Sequence, residues 1–246
     1  MFFLITICYN SFTKEAMQWI NKKGLNILKQ FISKYKHGWV LFYFFIYMAW
    51  FLYLEGRTDV NFTPIHIKLD DLVPFNELFV IPYFLWFAYI AGAVLLFFFK
   101  SKEDFYKCTA FLFIGMTICL IIYTIWPNGQ NLRPSVFPRD NFLTDMVKGL
   151  YQTDTSTNVC PSIHVFNSIA VHIAISRSSL FDKHKIIKAG SFILMIAICL
   201  STVFLKQHSV FDGICAVALS CVMYVLVYKV DYVKLFGRKK AESTAY

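Results

Sequence analysis

Six stretches of the chain are apolar over sixteen or more residues, and polar clusters separate them. They cover 39–54, 78–99, 108–126, 161–176, 187–205 and 209–228. None alternates apolar with polar positions, so none has the period of a barrel strand. A helix rises ~1.5 Å per residue, and ~20 residues cross the ~30 Å hydrocarbon layer of a bilayer. The pattern therefore predicts an all-α fold, a six-span transmembrane helical bundle. The first, fourth and fifth stretches fall slightly short of full crossing length. Pro82 lies inside the second stretch, Pro127 ends the third, and Pro161 opens the fourth at a position suited to a first helical turn.

Upstream of the spans the period changes. Phe12, Ala16, Ile20, Ile27, Phe31 and Tyr35 recur at helical spacing with lysines between them. That predicts an N-terminal amphipathic interfacial helix, cationic on its polar side and lying on the membrane surface. Residues 1–9 are apolar but too short to span, and no small-residue cleavage site follows them. The expected organisation is a cytoplasmic N-terminal segment (1–36), a six-span membrane domain (37–230) and a basic tail (231–246).

Composition agrees with the pattern. Of 246 residues, 57% are hydrophobic and 19% aromatic, only 16% are charged, and the mean hydropathy is +0.53. Ordinary soluble domains carry about a quarter charged residues, so disorder, coiled coil and a disulfide scaffold are excluded. The seven cysteines are odd in number and contain no C-x-x-C pair. They read as small packing residues.

The net charge of +9 sets orientation rather than a nucleic-acid surface. Eighteen of the 24 Lys and Arg residues fall on one side of an alternating six-span topology: the N-terminal segment, the loops after spans two and four, and the C-terminal tail. The other side keeps Arg57, Lys68, Arg133, Arg139, Lys148 and Lys206. The positive-inside rule then puts both termini in the cytoplasm of a multi-pass cell-membrane protein.

The same topology collects the unusual polar residues on the opposite, extracytoplasmic face. The long 127–160 loop holds Arg133-Pro134, the fourth span opens with Pro161-Ser162-Ile163-His164, and the fifth and sixth spans meet at Lys206-Gln207-His208, followed by Asp212. Ionisable groups at span boundaries mark function. A spacing of four puts His208 and Asp212 on one helix face, where the carboxylate can fix the imidazole tautomer and leave the other ring nitrogen as a nucleophile. It also suits a helix cap beside an interfacial histidine. The N–H groups of Ser162, Ile163 and His164 at a helix start form an anion site, and His164 can protonate a leaving oxygen. Arg133 can grip phosphate oxygens bidentately, with Lys206 as an added point charge and Arg139 as a weaker candidate. A mixed metal site from Cys160, His164, His208 and Asp212 uses the same residues, but nearby cations oppose it, so no metal or other cofactor is expected. His172 reads as a bundle-packing residue, and His66 and His184 as loop residues.

Taken together, these stretches resemble the signature of the type 2 phosphatidic acid phosphatase superfamily. The family pattern runs K-x6-R-P, then P-S-G-H, then S-R-x5-H-x3-D. Arg133-Pro134 match the end of the first motif, Pro161-Ser162-Ile163-His164 the second with Ile163 for Gly, and Ser201, His208 and Asp212 the third. The resemblance covers about 126–212 by motif. Trp126 stands where the family has its first-motif Lys, and Thr202 where it has its third-motif Arg. Lys206, Arg139 or Lys148 would have to replace those charges. The Ser201-Thr202 to His208 form is similar to a branch that includes inositol phosphorylceramide synthases.

The resemblance implies a membrane-embedded lipid phosphate phosphatase. His208 would attack phosphorus and form a phosphohistidine, His164 would protonate the leaving alkoxide, and Asp212 would orient His208. Arg133, Lys206, Ser162 and Ile163 would bind the phosphate. The expected partners are a lipid phosphate substrate and membrane lipids, with no nucleic acid. The alternatives are a headgroup phosphotransferase of the inositol phosphorylceramide synthase type and a non-catalytic anionic-lipid transporter or scaffold.

Overall fold

A computed structural model describes residues 24–231. Residues 1–23, which hold the apolar 1–9 stretch and the first half of the expected amphipathic helix, and nearly all of the expected basic tail lie outside the described residues. The chain divides into two compact units, Met1–Phe42 and Tyr43–Tyr246. In the first, helix α1 covers 24–34 and a 3-10 helix, Lys36–Phe42, follows it. Leu25, Leu28 and Ile32 on α1 are exposed, and the rings of Phe31 and Tyr35 stand 4.8 Å apart.

The second unit is a helical bundle. Its helices are α2 (Tyr43–Glu55), α3 (Lys68–Leu72), α4 (Val80–Lys100), α5 (Lys102–Ile125), α6 (Phe142–Thr153), α7 (Ile163–Arg177), α8 (Lys185–Phe204) and α9 (Val210–Tyr228). Among the described residues, five stretches are long and apolar enough to cross a membrane: Lys36–Glu55, Glu77–Lys100, Lys102–Ile125, Lys185–Phe204 and Val210–Tyr228. The fold is thus mostly α-helical and fits a multi-pass membrane protein. The remaining predicted span is α7, which has 15 residues and is about 22 Å long, short of a full crossing. It packs against α4, α5, α8 and α9. Val165, Phe166, Asn167, Ser168, Ala170, Val171 and Ala174 are buried along it, so the predicted span that falls short of a crossing is central to the bundle.

Local chemistry sets the breaks. Ser101 ends α4, and its hydroxyl accepts the Asp104 N–H at 3.2 Å to cap α5. Glu103 and Asp104 in the first turn of α5 complement its dipole. Gly115 of α5 faces Phe166 of α7, where an added Cβ would lie 1.9 Å from the ring.

Two short strands tie the loops at the end of the bundle. β1 (Thr63–Pro64) pairs in parallel with β2 (Asn128–Gly129), and Gly129 bridges to Thr157. The 127–160 segment, expected as loop, contains the twelve-residue helix α6. Its Val147 and Leu150 join Val80, Tyr83 and Leu205 in a buried cluster, with Leu143, Met146 and Tyr151 packed against it. This i, i+4, i+7 spacing after the Asn141 cap was readable as an amphipathic helix.

Candidate functional site

The site begins where α8 ends. The Lys206 N–H donates to the Val203 carbonyl and the Gln207 N–H to the Thr202 carbonyl, both at 3.0 Å. Lys206 has φ +54°, which makes this a left-handed helix stop built on a lysine. The His208 N–H also donates to Thr202, at 3.0 Å. Helix α9 then starts at Val210 with Ser209 as its cap.

His208 therefore lies before α9, not on its first turn. Its contact with Asp212 comes from the capping turn. Asp212 is fully buried, and its Oδ2 accepts the Ser209 N–H at 2.9 Å and lies 3.3 Å from His208 Nδ1. A second acceptor, the Val159 carbonyl, lies 3.0 Å from the same nitrogen. A carbonyl only accepts, so Nδ1 carries the proton and Nε2 keeps the lone pair. The tautomer expected from the carboxylate alone is thus set by a carboxylate and a carbonyl together. Asp212 Oδ1 is buried with no hydrogen-bond partner among the described residues.

Val159 is held in turn by Asn128, a residue that sequence reasoning passed over. Asn128 Oδ1 accepts the N–H groups of Val159 and Cys160 at 2.9 and 2.8 Å. Its Nδ2 donates to the Trp126 and Cys160 carbonyls. This clamp delivers the chain to α7. Pro161 precedes that helix and is not in its first turn: Ser162 is the cap and Ile163 the first helical residue. The Ser162 hydroxyl accepts the Val165 N–H at 3.4 Å, and its own N–H donates to the Asp212 carbonyl at 3.2 Å. Of the three N–H groups expected to face an anion, Ser162's is thus spent on Asp212. Those of Ile163 and His164 open the helix.

His164 follows in that first turn. Its ring lies 4.6 Å from Tyr83 and 4.3 Å from Trp86, both on α4, and 5.7 Å from the His208 ring. The Tyr83 hydroxyl donates to Asp154 at 2.7 Å, and Gln207 Nε2 reaches the same oxygen at 3.4 Å. Tyr83, Trp86, Asp154 and Gln207 were not singled out from the sequence. Only Gln207, adjacent to His208, carried a positional hint.

The cations are placed differently from expectation. Arg133 stacks over Tyr151 at 4.4 Å and donates to the carbonyls of Tyr151, Asp154 and Thr155 and to Gln207 Oε1. Burial lowers its pKa, opposed by Asp154. Its Nε is buried with no partner among the described residues. Lys206 Nζ donates to the Asp70 carbonyl at 2.7 Å, and burial lowers its pKa against the pull of Asp70 and Asp71. Arg139 binds Glu77 through two nitrogens, and Lys148 pairs with Asp140 and Asp145. His172 bonds Ser191 and Ser176 within the bundle, as expected for a packing residue. Cys160 packs with Val159 and Ile65 against Cys215. Among the described residues no three His, Cys, Asp or Glu side chains converge as a metal site.

The chemistry available is that of one imidazole with a fixed lone pair, a second imidazole facing it, and an arginine one residue removed through Gln207. Comparison with known protein families, curated proteins and solved structures finds no match to this chain.

Proposed function

We propose that this protein is a membrane-embedded lipid phosphate phosphatase of the type 2 phosphatidic acid phosphatase kind, working at the extracytoplasmic face of the cell membrane. In this reading α7 is the fourth of six spans, both termini are cytoplasmic, and an amphipathic helix lies on the inner surface. The observation that carries the proposal is the pair of imidazoles 5.7 Å apart, one with Nδ1 held by Val159 and Asp212.

His208 Nε2 forms a bond to phosphorus as the ester P–O bond breaks, and His164 gives its proton to the departing alkoxide. His164 then takes a proton from water, whose oxygen bonds to phosphorus as the N–P bond breaks and inorganic phosphate leaves. Asp212 supports the positive charge that develops on His208. The Ile163 and His164 N–H groups and the Arg133 charge stabilise the equatorial oxygens, the electrostatic term on which phosphoryl transfer mainly depends.

A second reading, headgroup transfer from a phospholipid to an alcohol, rests on the Ser201-Thr202 to His208 form, which is similar to the inositol phosphorylceramide synthase branch. It changes the acceptor and leaves the chemistry at phosphorus intact.

The test is purified protein in detergent with radiolabelled lipid phosphates, scoring free phosphate and transferred headgroup separately. Wild type is expected to release phosphate and to yield an acid-labile phosphoenzyme on quenching, and His208→Ala to do neither. Equal turnover by His208→Ala would falsify the assignment.

A further inference from the structure

Asp70 sits in α3, the five-residue helix between α2 and α4, and is fully buried. Its Oδ2 accepts the N–H of Ile67 at 2.9 Å, which caps α3 itself. The same oxygen accepts the Ser209 hydroxyl at 2.7 Å, and Oδ1 accepts the Val210 N–H at 2.8 Å. The Asp70 carbonyl accepts Lys206 Nζ at 2.7 Å. One residue thus grips the chain two positions before His208 and one and two positions after it.

The turn it grips needs holding. Lys206 adopts a left-handed backbone that a residue with a side chain resists, and the first N–H groups of α9 have no partner within the helix. Asp212 already accepts the Ser209 N–H with the oxygen that faces His208. Two buried carboxylates therefore share the N-terminus of α9. Asp70 satisfies the Val210 N–H and the Ser209 hydroxyl, which leaves Asp212 free to face the imidazole.

We infer that Asp70 is a positioning residue for His208, bracketing the 206–210 turn so that Asp212 stays on Nδ1 and Nε2 stays aimed at phosphorus. This rests on the reading of His208 as the nucleophile. It also makes the segment between α2 and α4 part of the reaction machinery.

The test uses the full chain in detergent with a lipid phosphate monoester, and measures kcat, KM and trapped phosphohistidine per mole of protein. The variants are Asp70→Ala, Asp70→Asn, Asp70→Glu, His208→Ala, Asp212→Ala and the Asp70→Ala/Asp212→Ala double. Asp70→Ala is expected to lower kcat about 10- to 100-fold, the scale set by a misplacement near 1 Å, with KM little changed. Asp70→Asn keeps an acceptor oxygen and is expected to recover part of the loss. In the Asp212→Ala background, Asp70→Ala is expected to cost less than about threefold more, because both act through one histidine geometry.

A purely structural role would instead lower the folded fraction, leave kcat per trappable site unchanged, and multiply fully with Asp212→Ala. Either of the last two results overturns the inference. Should Asp70→Ala fail to fold, the Asn and Glu variants decide by the same measurements. Loss of turnover in His208→Ala with full kcat in every Asp70 variant overturns the role of Asp70 alone. Equal turnover by wild type and His208→Ala overturns the nucleophile reading and this inference with it.

Discussion

His208 shows how a single side chain acquires a direction. Its Nδ1 faces two acceptors, the Val159 carbonyl and Asp212 Oδ2. Neither has a hydrogen to donate to a bare nitrogen, so the proton stays on Nδ1 and the lone pair on Nε2. The neighbouring Lys206 carries the opposite kind of information, a backbone angle its side chain disfavours. Lys206→Gly and Lys206→Ala both remove the bond to Asp70, yet only alanine keeps a Cβ. The glycine variant is expected to be more stable by about 1 kcal/mol, read from denaturant unfolding in detergent. Equal stabilities would mean that the left-handed stop is absent in solution.

Among the elements, α7 carries the most. It is short and polar at its start, and it packs against four other helices. It meets α5 tightly at Gly115. A Cβ there would overlap the Phe166 ring, since Cζ would lie 1.9 Å away. Gly115→Ala is expected to destabilise by about 1–3 kcal/mol through overpacking, and adding Phe166→Leu should recover part of that. A thermal midpoint unchanged by Gly115→Ala would contradict the packing. Helix α6 matters differently. Its carboxyl end places the Tyr151 and Asp154 carbonyls that receive Arg133, so the arginine is tied to the site by a helix rather than by a loose loop.

At the level of the whole molecule the question is how many helices cross. Among the described residues, five stretches meet the length and apolarity needed, and α7 does not by itself. Val136 and Ile186 flank α7 and are 80% and 87% exposed. With native cysteines removed, Val136→Cys and Ile186→Cys are expected to react with a membrane-impermeant maleimide from opposite sides of the cell membrane, because six crossings put α7 across the bilayer. Labelling of both from one side would leave five crossings and separate the termini. The outcome also decides which side the His164–His208 pair faces.

What the sequence determined alone is the part governed by local periodicity and spacing. The apolar runs predicted the helices, because a chain that buries its backbone groups in lipid has few other solutions. The four-residue step from His208 to Asp212 predicted their contact, although by a helix face rather than the capping turn that makes it. Tertiary structure decided the rest. Asp70 lies 139 residues from Ser209, and Asn128 lies 31 from Val159. Nothing in a single sequence marks such pairs, because hydrogen bonds between distant residues follow from how the helices pack and not from any repeat along the chain. The same packing sends Lys206 to a carbonyl and Arg133 to carbonyls and Gln207, partners that charge counting could not foresee.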